Sequence, residues 1–104
     1  MSAIFAYSMK NFAQEIDLNQ IAAIAFMTPN SFCRYFKQRT NITYFQFLIK
    51  IRIEHACTLL SSQSDIAVAE VAKRSGFKNI SNFNRQFKSI KKLSPLEYKS
   101  IDQV

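Results

Sequence analysis

NSFCRYFK at residues 30–37 and SNFNRQFK at residues 81–88 stand 51 positions apart, and their likeness decides how the chain is read. At that offset Phe32 aligns with Phe83, Arg34 with Arg85, Phe36 with Phe87 and Lys37 with Lys88. Further along, Ile42 aligns with Leu93, Thr43 with Ser94 and Phe47 with Tyr98. Seven like-for-like pairs at one offset are hard to ascribe to chance. Upstream the offset falls to 50, pairing Ile21-Ala22 with Val71-Ala72, so one residue is inserted in the intervening turn, where Gly76 sits. Each repeat is a short helix, a turn and a second helix, and two of them make a duplicated helix-turn-helix.

The rest of the chain fits around that repeat. In 104 residues, one Gly and two Pro leave too little turn chemistry for a sandwich or barrel, while 48% hydrophobic residues supply a core. The expectation is an all-α fold of about seven helices. Ile4, Phe5, Met9, Phe12 and Ala13 recur at helical intervals, predicting a first helix over residues 2–13 that ends between 11 and 14. Asp17 with Gln20 reads as a capping box, with Ile16 stapling the entry to a second helix over 18–26. Thr28-Pro29 opens a third over 29–39. Asn41 suits a left-handed end to it, and Thr43 caps the next helix. Residues 44–60 are apolar over much more than one stripe, as befits a long helix wedged between two subdomains. A polar loop at 61–65 comes after it, then helices over 68–74, 80–91 and 95–101, the last opened by the capping box Ser94-Pro95-Leu96-Glu97. The domain reading is a first helix-turn-helix subdomain at 4–43, a linker helix at 44–60 and a second subdomain at 66–102.

Fourteen Lys and Arg against seven Asp and Glu give a formal charge of +7. Residues 1–30 carry Lys10 against Glu15 and Asp17, so residues 31–104 hold +8. A basic field confined to the later part suits a protein that meets a polyanion. Cys33 and Cys57 are too few for a disulfide scaffold and lack metal-ligand spacing, so reduced thiols and no metal are expected. His55 is the only histidine, and neither a catalytic constellation nor a phosphate-binding Gly-rich loop can be assembled. No enzyme, no cofactor and no catalytic residue is expected. Without a membrane-length apolar run or a signal segment, the expected location is the cytoplasm.

Phe32 and Phe36, like Phe83 and Phe87, lie four apart and so share the core face of their helices. Asn30, Cys33, Arg34 and Lys37 face away from that core, as do Ser81, Asn82, Asn84, Arg85 and Lys88. Amides, hydroxyls and one Arg at a matched place in each unit are donor and acceptor types that read base edges in a major groove, and a neighbouring Lys can meet a phosphate. An ordinary solvated face is the plainer alternative, and repetition of the Arg-x-Phe-Lys pattern weighs against it.

Ile51-Arg52-Ile53-Glu54-His55-Ala56 with Leu59-Leu60, then Val68, Glu70-Val71-Ala72, Gly76-Phe77, Phe83, Arg85-Gln86-Phe87-Lys88 and Ser94-Pro95-Leu96-Glu97-Tyr98 together resemble the DNA-binding domain of the AraC/XylS family of bacterial transcription regulators. The resemblance spans residues 4–100 and is strongest in the second unit. It implies two recognition helices that enter successive major-groove segments of promoter DNA, with RNA polymerase as a second partner and this segment alone monomeric. By position it implies Asn30, Ser31, Cys33 and Arg34 in the first unit and Ser81, Asn82, Asn84 and Arg85 in the second as base-reading residues. Lys37, Lys78, Asn79 and Lys88 would contact phosphates. Arg52 takes a structural role, pairing with an acid or backbone carbonyls, and Ala22, Ala56 and Ala72 are small where helices cross.

Three departures stand out. The family's usual Gly is replaced by Asn41 and Lys92, so the second recognition helix either ends in a strained residue or runs on through Lys91-Lys92. Cys33 takes the place of a polar reader, which makes the first unit more a positioning than a reading element. Ala67 replaces a hydroxyl cap, a role for which Asp65 is the substitute. The family commonly carries a separate sensing or dimerisation domain, and the early start of the first helix favours an excised module over a stand-alone regulator. The rival functions are a helical protein-interaction module and a sequence-indifferent nucleic-acid binder.

Overall fold

A computed structural model describes residues 1–63 and 65–102, the side chain of Asp102 excepted. Among these described residues seven helices succeed one another: α1 (Ser2–Asn11), α2 (Leu18–Ile24), α3 (Pro29–Thr40), α4 (Tyr44–Ser62), α5 (Val68–Arg74), α6 (Ile80–Lys91) and α7 (Pro95–Asp102). Among the described residues there is no strand. Ser64, in the expected polar loop, lies outside the described residues.

Local chemistry explains most helix starts. Asp17 accepts from the Gln20 backbone N–H at 2.8 Å, and Gln20 Oε1 accepts from the Asp17 N–H at 3.0 Å. Thr43 and Gln46 repeat that reciprocal pair at the head of α4, and Ser94 and Glu97 at the head of α7. Thr28 caps α3 ahead of Pro29. Ala67, by contrast, starts α5 with no side-chain cap, so Asp65 does not take that role: the first turn of α5 is held by backbone bonds from Glu70 and Val71 to the Ala67 carbonyl.

The two helix-turn-helix units have separate cores. One gathers Ile4, Ile16, Ile21, Ala22, Phe32, Phe36, Tyr44 and Leu48; the other gathers Ile53, Ala56, Cys57, Leu60, Val71, Phe83 and Phe87 among others. Helix α4 supplies both, its first turns to one and its later turns to the other, which is why it is apolar on more than one side. The molecule is accordingly elongated, 45 × 23 × 22 Å.

Three local expectations need correction, and one open alternative, at the end of α6, is decided. Helix α1 ends at Asn11, at the early edge of the expected range, and its buried positions are Ile4 and Ser8, not Phe5 and Met9, which are 37% and 57% exposed. The hydroxyl of Ser8 donates to the Ile4 carbonyl at 2.7 Å and shares a 2.7 Å bond with the buried Tyr44 hydroxyl. A satisfied polar pair thus replaces the apolar contact that periodicity suggested. Helix α2 stops at Ile24 because Phe26 takes a left-handed conformation, φ 58°. Helix α4 runs two residues past 60, with Ser62 Oγ bonded back to the Thr58 carbonyl. Finally, α6 does not run on: Lys92 is left-handed (φ 65°, ψ 11°), as Asn41 is after α3 (φ 66°, ψ 7°).

Left-handed residues therefore recur at both offsets of the repeat, 41 with 92 and 26 with 76. A lysine carries a steric cost there that glycine escapes, so Lys92→Gly is expected to raise stability by about 1 kcal/mol. A denaturant midpoint lower than that of the parent protein would contradict this assignment.

Candidate nucleic-acid interface

Helices α3 and α6 each run for 12 residues, and neither contains an acidic side chain. Each buries two phenylalanines four residues apart, Phe32 with Phe36 and Phe83 with Phe87, all four fully buried. That anchoring fixes which side of each helix faces outward. In α3 the outward side carries Asn30, Ser31, Cys33, Arg34 and Lys37, all exposed. In α6 it carries Ser81, Asn84, Arg85 and Lys88, exposed, with Asn82 half-buried. Basic residues occupy both last turns, Lys37 and Arg39 in α3 and Lys88 and Lys91 in α6, where they also complement the helix dipoles.

The two faces differ in how they are held. Arg85 donates to the Asn82 side-chain oxygen at 2.7 Å, one turn earlier on the same helix. Asn79 caps α6, its side-chain oxygen accepting from the Asn82 N–H at 3.0 Å, so this residue has a structural task beside any contact it makes through its amide nitrogen. Lys78 stands 3.0 Å from Glu15, an ion pair that crosses from the second unit to the first, with both side chains largely exposed. The Glu15 partner carried no signal in the sequence, because the pair is 63 residues apart and neither residue belongs to a repeat. On α3 the Arg39 guanidinium lies over the Tyr35 ring at 5.1 Å, a pair formed one turn apart beside the outward face.

Arg52 pairs with backbone carbonyls: its Nε donates to the Phe12 carbonyl at 2.7 Å and an Nη to that of Gln14 at 3.0 Å. Its neighbour His55 packs on the Phe12 ring at 4.8 Å, and burial holds the imidazole below its ordinary pKa. Both residues point into the joint between the units. Ala22, Ala56 and Ala72 are buried. Among the described residues no group of His, Cys, Asp or Glu could hold a metal ion, and no helix is long and apolar enough to cross a membrane.

Residues 21–101, most of the chain, match a helix-turn-helix domain family. The HTH-type transcriptional activator RhaR of Mannheimia succiniciproducens is 32% identical over 96% of this chain and 36% of its own length. The chain belongs to the AraC-type helix-turn-helix family. It spans about a third of the length of that relative. The AraC-type fold recurs in the DNA-binding domain of AdpA, solved in complex with a target DNA: TM-score 0.87, 30% identity, covering 96% of this chain and 89% of that one. It recurs again in a probable AraC family transcriptional regulator from Rhodopseudomonas palustris, at TM-score 0.89 over 97% of this chain and 94% of that one, with 20% identity. The second likeness is one of fold.

Proposed function

We propose that this chain is the sequence-specific DNA-binding module of a bacterial transcription regulator, with α3 and α6 entering two successive major-groove segments. The observation that carries the reading is the repeated outward face. Two helices of equal length, anchored by the same Phe pair and ended by the same left-handed residue conformation, present an Arg and a Lys at matched positions. In this reading residues 4–43 form the first unit, 44–60 the linker and 66–102 the second. Asn30, Ser31, Cys33 and Arg34, with Ser81, Asn82, Asn84 and Arg85, read base edges; Lys37, Lys78, Asn79 and Lys88 hold the backbone. The module works as a monomer in the bacterial cytoplasm at the nucleoid. It has no catalytic step, and RNA polymerase is the second partner at the promoter.

The test is a selection of bound duplexes from a random pool, then thiol footprinting. Cys33 is exposed and Cys57 buried, so a maleimide labels the native protein at Cys33. Selected duplex should slow that labelling to the rate at which the complex dissociates. Undiminished labelling in a saturated complex would remove α3 from the groove, and enrichment of no sequence would leave only charge-driven binding.

For the lysines, Lys37→Ala and Lys88→Ala are each expected to weaken binding to all duplexes alike and to flatten the slope of log K against log salt by about 1 unit. A loss confined to one sequence would give these residues a base-reading role instead.

A further inference from the structure

A cleft of about 870 Å³ opens between the two units, bounded by α4, α5 and the segment that leads into α6. Its floor is apolar, with Ile16, Leu48 and Phe77 buried there. Phe45, in the first turn of α4, and Ile80, the first residue of α6, also line it, and each is 44% exposed. The volume suits a small organic molecule, for which sites of about 300–1,000 Å³ are usual.

The charged residues of the lining are Glu15 against Arg52, Lys73 and Lys78. Two of these cations are engaged, Arg52 with the Phe12 and Gln14 carbonyls and Lys78 with Glu15. The Lys73 ammonium, exposed on α5, has neither an ion pair nor a hydrogen bond among the described residues. Helix-turn-helix geometry does not require the residues found here. Lys73 stands where the first unit has Ala23, Lys78 where it has Met27 and Ile80 where it has Pro29. All three departures from the repeat line one cleft. An apolar floor beside a free lysine complements a molecule with an apolar body and a single negative charge. A polyanion would leave the apolar surface wet, and a neutral hydrocarbon would leave the lysine unused.

We propose that the cleft binds an amphipathic organic acid, its aromatic body lying against Phe45, Phe77 and Ile80 and its carboxylate meeting Lys73, and that such a ligand and DNA exclude one another. Lys78, Asn79 and Asn82 line the same cleft and are DNA contacts in the function proposed above, so ligand and duplex compete for them. Each then raises the apparent dissociation constant of the other by the same factor. The exclusion rests on the DNA reading; the site itself does not.

The experiment titrates the isotope-labelled chain with sodium cinnamate and follows its amide resonances. Saturable shifts are expected at Ala69, Lys73, Phe77 and Ile80, and none along α7, which lies outside the cleft. Cinnamyl alcohol, the same body without the charge, should bind about 2- to 5-fold more weakly, the factor an exposed ion pair supplies. Lys73→Gln keeps most of the stem and removes the charge, so it should erase that difference. Lys50→Gln, on exposed α4 surface outside the lining, should keep it. Shifts that do not saturate, shifts spread over both units, or a Lys73→Gln chain that still prefers the carboxylate overturn the site. Slowed tumbling without cinnamate, with the cleft amides broadened, would give the cleft to a second copy and overturn it as well.

Competition is measured separately, with the selected duplex at constant total salt. Cinnamate at about ten times its own dissociation constant should raise that of the duplex about 10-fold. Unchanged duplex binding with the cleft saturated overturns the exclusion and leaves the site standing. If no sequence is selected, the DNA reading fails and the exclusion with it, while the titration, which needs no DNA, still decides the site.

Discussion

Phe36→Ala and Phe87→Ala are each expected to cost about 3–5 kcal/mol of stability, the range for removing a large aromatic ring from a packed core. Both rings are fully buried. Phe36 packs with Phe5, Phe32, Tyr44 and Phe47 at centroid distances of 6.5, 5.9, 5.4 and 5.4 Å, tying α1, α3 and α4 together. Phe87 meets Phe83 at 5.7 Å and Tyr98 at 5.6 Å, tying α6 to α7. The richer aromatic surroundings place Phe36→Ala at the upper end of the range. A domain of this size holds only about 5–15 kcal/mol in all, so either change removes a large share of it. Since each core belongs to one unit, the loss should begin locally, with amide exchange rising first in the mutated unit. Urea unfolding measures the effect as a fall in midpoint at unchanged slope. A variant with the parental midpoint and an altered base preference would place the ring in the groove rather than the core.

The second large effect is on DNA. Arg85→Ala and Arg34→Ala are each expected to weaken binding to the selected duplex by about 1–3 kcal/mol and to relax preference at one base step, because each removes a fork of major-groove donors. The two should not be equal. Arg85 is held by the Asn82 side chain at 2.7 Å, whereas the Arg34 side chain makes no hydrogen bond among the described residues. A side chain already held in place loses less rotamer freedom on binding, so the larger loss is expected at Arg85, and Asn82→Ala should reproduce part of it. Competition against duplexes altered at single positions separates this from a phosphate effect. Unchanged affinity and unchanged selectivity in both variants would dismiss these helices as readers.

The same residues show how far the site was legible. The outward faces of α3 and α6 were readable because two phenylalanines four apart fix a helix's orientation whatever it packs against. The tie between Asn82 and Arg85 was not, since a side-chain bond one turn long competes with solvent and depends on the rotamers chosen in the folded state. Lys78 was readable as a basic residue just ahead of the second recognition helix, but its Glu15 partner lies on the other unit.

By itself, the sequence determined what is settled within a few residues: the capping boxes at Asp17 and Ser94, the cap at Thr43, the proline starts, the length of α6 and that of α3 to within one residue, and the duplication that makes two units. Each rests on bonds between positions three or four apart, which form wherever the chain around them goes. Only the tertiary structure decided that Ser8 rather than Phe5 or Met9 is buried, through a hydroxyl pair 36 residues apart with Tyr44. It alone decided that Phe26 turns left-handed into solvent while Gly76 sits against Phe12 and Arg52. Those outcomes depend on which surfaces meet across α4, and local sequence carries no record of a partner that packing brings in from 36 residues away, as for Ser8 and Tyr44, or 64, as for Gly76 and Phe12.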